Sequence, residues 1–276
     1  MREELDKTEK AACAIVRRVL GVEIEPWDVY GRQNAVDALL HYPDGRVAAF
    51  EVSKLAADGA IHLDSLLGRE DFSWPLPGRW WWTVTVWWTV TVKDVSDLPR
   101  ARAAFQAVVL WCEANGVTQP HALRLSDLLP PDVSWVASAD TVRMIGHPDI
   151  PARKGDKVRS AQVMPGGVGG GTDRTLEGLR DVLATALSTT HLRDRVAKLR
   201  STSEISVAER HLFVPIHLTA FPFPIIDALI VGTSLPPTPP PLPPSLTHLW
   251  LAPSFGRRVL LGTAEGWAQH YPYDED

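Results

Sequence analysis

Between Glu3 and Leu20 the apolar residues Leu5, Ala12, Ile15, Val16, Val19 and Leu20 fall near one stripe of a 3.6-residue period, and Gly21 follows them. That spacing predicts an amphipathic helix with a glycine stop. After a polar connector, Asp28 to Asn34, the runs Ala35 to Tyr42 and Arg46 to Lys54 read as short strands on either side of Pro43-Asp44-Gly45. Proline suits the first corner of such a loop and glycine its left-handed position, so a β-hairpin is expected. Residues 56–78 form a polar connection with a short helix around Ile61 to Leu67. Next, Arg79 to Lys93 carries WWTVTV twice, at Trp81 to Val86 and Trp87 to Val92. Period two sets Trp80, Trp82, Val84 and Val86 on one face and Trp81, Thr83 and Thr85 on the other, which predicts a long strand with a bend or bulge. A helix from Pro99 to Asn115 follows, with Ala104, Phe105, Val108 and Cys112 inward.

Downstream, Val133 to Val136 and Thr141 to Ile145 are expected to form a small hairpin. Pro148 to Gly171 is basic and glycine-rich and reads as an insertion; Gly166 to Gly171 lacks the GKS/T ending of a phosphate-binding loop and reads as a linker. Helical spacing returns from Thr175 to Arg200, as two helices broken near Thr189-Thr190. His211 to Leu218, Ile225 to Val231, Thr247 to Leu251 and Arg257 to Leu261 are expected to be extended, with a helical turn the alternative for Ile225 to Val231. Leu235 to Pro244 is a stiff polyproline-like connector or, alternatively, a ligand for a proline-binding domain. His211 and His217 point the same way on one strand and read as structural. The expected division is a core over 1–116, an inserted region over 117–174 and a C-terminal α/β part over 175–276 packed on the same sheet.

A length of 276 residues, 45% of them hydrophobic, suffices for a sizeable core and excludes fibrous and disordered classes. No run approaches the roughly 20 apolar residues of a membrane span, and the charged MREELDKTEK start does not resemble a signal peptide, so a cytoplasmic protein with no membrane partner is expected. Cys13 and Cys112 sit in apolar helical patterns without further metal-binding partners in sequence, as buried thiols do. The net charge of −5 means that a nucleic-acid partner must meet a local patch. Arg153, Lys154, Lys157 and Arg159, or Arg193, Arg195, Lys198 and Arg200, supply such clusters, with a solvated helix face as the alternative for the second.

The hairpin loop fixes a register. With Tyr42 paired to Arg46, Leu40 faces Ala48, Leu39 faces Ala49 and Asp37 faces Glu51. Like charges directly opposed across a strand pair are destabilising, by roughly 3 kcal/mol at about 5 Å and an effective dielectric of about 20. A bound cation, a shared proton with one raised pKa, or a nearby Arg or Lys must offset that repulsion. Mg²⁺ or Mn²⁺ fits, since hard divalent ions take one or two carboxylates plus water and phosphate oxygens.

A helix bearing an acid, a strand with Asp, a PDG turn, a strand with Glu, then a third long strand and a helix, over residues 3 to 115, resembles the PD-(D/E)XK, or restriction endonuclease-like, superfamily of metal-dependent phosphodiesterases. The resemblance implies an α/β fold with that core, and hydrolysis of DNA or RNA. It implies Asp37 and Glu51 as metal ligands and catalytic residues, with Glu9 of the first helix as a third ligand. The family's lysine, two places after the Glu, is Ser53 here. Lys54, brought round by a bulge, or Lys198 from the later helix is expected to stand in for it. The alternative is a domain that has lost catalysis and binds nucleic acid or protein, and homodimerisation is left open.

Overall fold

The computed structural model describes residues 4–29, 35–57, 59–86, 97–123, 129–138, 142–150, 160–165, 175–201 and 206–274. The end of the first connector, the second WWTVTV copy, the basic residues Arg153 to Arg159 and the run Gly166 to Gly171 lie outside them. The chain is a mixed α/β protein that divides into two compact units, Met1–Leu55 with Val168–Asp276, and Ala56–Gly167. These bounds differ from the sequence division, since residue 116 falls within the second unit.

In the first unit, α1 (Lys7–Leu20) starts at a capping box, in which the Asp6 side chain accepts from the Glu9 backbone N–H and Glu9 returns the bond, and it stops at Gly21 in the left-handed conformation. Strands β1 (Glu23–Pro26), β2 (Ala38–His41) and β3 (Val47–Val52) form an antiparallel meander. Beyond the second unit come α5 (Leu179–Ser188), α6 (Thr190–Ser201), β8 (Glu209–Ile216), α7 (Phe223–Val231), β9 (His248–Pro253), β10 (Val259–Thr263) and β11 (Gly266–His270). The sheet order is β1-β2-β3-β8-β9-β10-β11, with β3, β8 and β9 mutually parallel. Leu212, Phe213 and Val214 of β8 are all buried, as befits a central parallel strand covered on both faces. Ala12, Ile15 and Val16 of α1 cover Leu40, Ala48 and Phe50 on one face. Leu183, Leu192, Val196 and Leu199 of α5 and α6 cover Leu39, Ala49, Leu212 and Val214 on the other.

The second unit holds α2 (Ala60–Gly68), β4 (Ser73–Pro75), β5 (Trp81–Val86), α3 (Asp97–Ala114), α4 (Pro131–Ser138), β6 (Val142–His147) and β7 (Ser160–Pro165). Its sheet order is β4-β7-β5-β6. Trp82, Val84 and Val86 pack against Phe105, Val108 and Cys112 of α3, following the expected period-two face.

Two expectations are corrected here. The third long strand does not join the hairpin: β5 has its two neighbours in its own sheet, β6 and β7, and the edge of β3 is taken by β8. The expected strand Val133 to Val136 is helical, because these β-branched residues stand three apart and bury one helix face against the core of the second unit. Ile225 to Val231 takes its helical alternative as α7. The proline-rich stretch is tied down within the chain: the Trp267 indole donates to the Thr238 carbonyl (2.8 Å) and Arg180 to that of Pro239 (2.6 Å), while Pro236 and Pro240 are buried. Among the described residues, no helix is long and apolar enough to cross a membrane.

In the second unit the Glu113 carboxylate gathers the backbone N–H groups of Arg79 (2.6 Å) and Trp80 (2.9 Å) and the Trp82 indole (3.2 Å). Gly78 beside it has φ +106°, and a Cβ there would fall on that carboxylate. Gly78→Ala is therefore expected to lower stability by about 1–3 kcal/mol in urea denaturation, through both the backbone and the displaced acceptor.

Candidate functional site: a buried carboxylate cluster beneath α6

The turn forms as its residues dictate. Tyr42 N–H donates to the Arg46 carbonyl (2.9 Å) and Gly45 N–H to that of Tyr42 (3.0 Å), with Gly45 at φ +86°. Leu40 then pairs with Ala48, Leu39 with Ala49 and Ala38 with Phe50. One step further on, Asp37 meets Glu51: the Asp37 N–H donates to Glu51 Oε2 (3.2 Å), and the Val52 N–H donates to Asp37 Oδ2 (2.8 Å). The side chains are 3% and 0% exposed, so neither charge is relieved by water.

Helix α6 supplies the offset. Lys198 Nζ lies 3.1 Å from Glu51, 3.5 Å from Asp37 and 3.7 Å from Asp28, and Arg195 reaches Glu51 at 2.9 Å. At an effective dielectric of about 20, each lysine contact is worth roughly 4–5 kcal/mol before desolvation, against the roughly 3 kcal/mol by which two carboxylates repel. The ammonium therefore outweighs the repulsion. Burial nevertheless pushes the Glu51 carboxyl up to about 7, helped by the Asp37 charge and opposed by Lys198 and Arg195.

Asp28 arrives through a bulge. The N–H groups of both Trp27 (2.9 Å) and Asp28 (3.4 Å) are directed at the single Asp37 carbonyl, so two residues after β1 oppose the one residue that precedes β2. Such an extra residue re-aims a side chain, here to within reach of Lys198.

The expected site residues part company. Asp37, Glu51 and Lys198 meet. Lys54 is exposed and outside the cluster, because the ladder through Ser53 (N–H to the Phe213 carbonyl, 2.9 Å) and Leu55 (to that of Pro215, 2.9 Å) runs on without the bulge that would turn it inward. Glu9 is buried on α1, which packs on the opposite face of the sheet, and its carboxylate accepts from the Asp6 N–H (2.9 Å). The third carboxylate at Lys198 is Asp28. Of the expected basic clusters, α6 brings Arg195 and Lys198 to the carboxylates and leaves Arg193 and Arg200 exposed. Cys13 is a buried free thiol, which burial, with the Asp37 charge, pushes up to about 11.

A second cluster lies at the start of β8 and β9. Ligand atoms of Glu209, His211 and His248 fall within 4.8 Å of one another, the one such group of three among the described residues. Its geometry suits hydrogen bonding better than a metal. The Trp250 indole can only donate, so its bond to His211 Nδ1 (3.1 Å) leaves the ring proton on Nε2, which donates to Glu209 (3.1 Å). The two imidazoles are stacked 4.0 Å apart at 5°, so an ion bound to both nitrogens would lie well off the plane of at least one ring. Glu209 also accepts from Tyr42 (2.6 Å) and pairs with Arg46. The His211 bond, over the opposing effect of burial, holds its carboxyl down at about 2, while burial holds His211 at about 4. His217 is structural in the same sense, bonded to the Thr219 hydroxyl at 2.8 Å.

Two outcomes follow from these charges. Lys198→Met leaves Asp37 without its cation and Glu51 with Arg195 alone, and is expected to cost about 3–5 kcal/mol at pH 8. The loss should shrink on going from pH 8 to pH 6 in urea titrations, because Glu51, with its raised pKa, can then take a proton. At the second cluster both folded pKa values lie below the ordinary ones. Their stabilisation is present above pH about 6.5 and is lost as pH falls, first through His211 and then through Glu209. Glu209→Gln should flatten the part of that acid limb below pH about 4.5.

Compared with known proteins, the chain matches no family model, no curated protein and no solved structure.

Proposed function

We propose that the chain is a metal-dependent phosphodiesterase of the restriction endonuclease-like kind, acting on DNA or RNA. The observation that carries this reading is the convergence of Asp37, Glu51 and Asp28 around one ammonium, Lys198 Nζ, at 3.1–3.7 Å. The adjacent pair Asp37 and Glu51 is the kind a hard divalent ion takes, with water and phosphate oxygens completing its shell. Asp37 and Glu51 would hold Mg²⁺ or Mn²⁺, which would supply a water of lowered pKa and neutralise charge growing on the phosphate. The element order supports the reading as well: α1, the β1-β2-β3 meander, then α5 and α6 leading to β8 parallel to β3. In this arrangement the acid-bearing strands are followed by a helix and a parallel strand, with Ala56–Gly167 as an inserted unit.

The chain's own groups then have distinct tasks. Lys198 stands where the motif lysine would act, approaching from α6 instead of β3, and can bind a phosphate oxygen or the attacking water. Arg195, 39% exposed, can turn from Glu51 to a phosphate. Arg193 and Arg200 on the same helix offer sequence-independent backbone contacts.

A second reading has an observation of its own. Lys198 and Arg195 already compensate the carboxylates, so a metal-free domain that only binds nucleic acid or protein is physically self-consistent. Incubation of plasmid and RNA with Mg²⁺ or Mn²⁺ separates the two. The first reading expects cleavage that Asp37→Asn reduces to background; metal binding by calorimetry without cleavage favours the second.

A further inference from the structure

On α6, His191, Arg195 and Lys198 stand at i, i+4 and i+7 and so share one stripe of the helix. Each meets the floor of the sheet at a different depth. Lys198 reaches Asp37 and Glu51, Arg195 reaches Glu51, and His191 Nε2 lies 2.8 Å from Ser53 Oγ. Ser53 follows Glu51 by two residues, so it faces the same side of the strand about 6.6 Å further along. Ser53 is 4% exposed and its N–H is fixed to the Phe213 carbonyl, so its hydroxyl is a rigid anchor, too deep to attack a polymer itself. His191, by contrast, is exposed. The stripe therefore ends with an imidazole at the solvent side of the carboxylates, one ring nitrogen tethered and the ring edge open to a bound chain.

Hydrolysis of a phosphodiester expels a sugar alkoxide, a poor leaving group that needs a proton. Lys198 and Arg195 are already assigned to phosphate oxygens and the attacking water, and an imidazole is the side chain that exchanges protons near neutral pH. We propose that His191 donates the proton to the leaving sugar oxygen in the cleavage assigned above, with Ser53 as the residue that positions it; the inference rests on that reading of the carboxylate site. In the step, a water oxygen forms the new bond to phosphorus and releases its proton to solvent. The bond from phosphorus to the leaving oxygen breaks with its electron pair on that oxygen, which takes the proton from the His191 imidazolium. Solvent then restores the imidazolium.

The test compares an oligonucleotide with bis(p-nitrophenyl) phosphate, whose phenolate leaves without a proton. Wild type, His191→Ala and His191→Asn are assayed on both substrates with Mn²⁺, after circular dichroism shows the variants folded. The oligonucleotide rate is expected to fall about 10²–10³-fold in both variants, while the p-nitrophenyl rate stays within about threefold. Added imidazole is expected to restore part of the oligonucleotide rate in His191→Ala. Equal losses on the two substrates, or no loss on the oligonucleotide, would overturn the proton-donor role while leaving the phosphodiesterase reading intact. A wild-type protein that cleaves neither substrate overturns that reading, and the donor role with it.

Discussion

One ammonium holds the site together. Asp37 and Glu51 are brought face to face by the hairpin register and shut away from water, and neither the strands nor the turn supply a positive charge. Lys198 does so from another element. Docking α6 on the sheet is thus more than apolar packing through Leu192, Val196 and Leu199: it also delivers the counter-charge without which β2 and β3 would repel at their most buried point. The same contact explains why Glu51 remains only partly compensated. A lysine shared by three carboxylates cannot satisfy each fully, and the one deepest in the protein keeps a raised pKa.

This dependence constrains the topology. β3 can pair in parallel with β8 only if the chain leaves the end of β3 and returns to the start of β8, and that return is made by α5 and α6. The crossover therefore places α6 over the strand that carries Glu51, and the stripe His191, Arg195, Lys198 over Ser53, Glu51 and Asp37 in turn. A charged stripe on a helix that also buries apolar residues is costly unless it has a partner of opposite sign. Here the helix and the hairpin each supply what the other lacks.

The hairpin was legible because its information is local. Pro43-Asp44-Gly45 fixes the loop, the loop fixes the register, and the register fixes which carboxylates meet. The role of Lys198 was legible only as an option, since residues 56–167 fold as a separate unit between Glu51 and the helix that answers it. Asp28 was not legible: its approach depends on the bulge at the Asp37 carbonyl, for which spacing gives no sign. The first WWTVTV copy was correctly read as a strand and wrongly placed in the core, because alternation reports which faces are buried and not which sheet buries them. Val133 to Val136 failed differently, with β-branched composition outweighed by helical packing.

On the proposed reading, the resident cation sets the terms on which a metal enters. Lys198 and a divalent ion would contend for the same oxygens of Asp37 and Glu51, so metal affinity would be reduced by the contacts the ammonium must give up. A bound phosphodiester gives that ammonium somewhere else to go, since its oxygens replace the carboxylates as partners for Lys198 and Arg195. Metal and substrate then help one another to bind, each lowering the cost of the other, and by linkage the effect is reciprocal. On that reading, carrying the cation on α6 does more than supply a charge: it would make metal binding conditional on the phosphodiester.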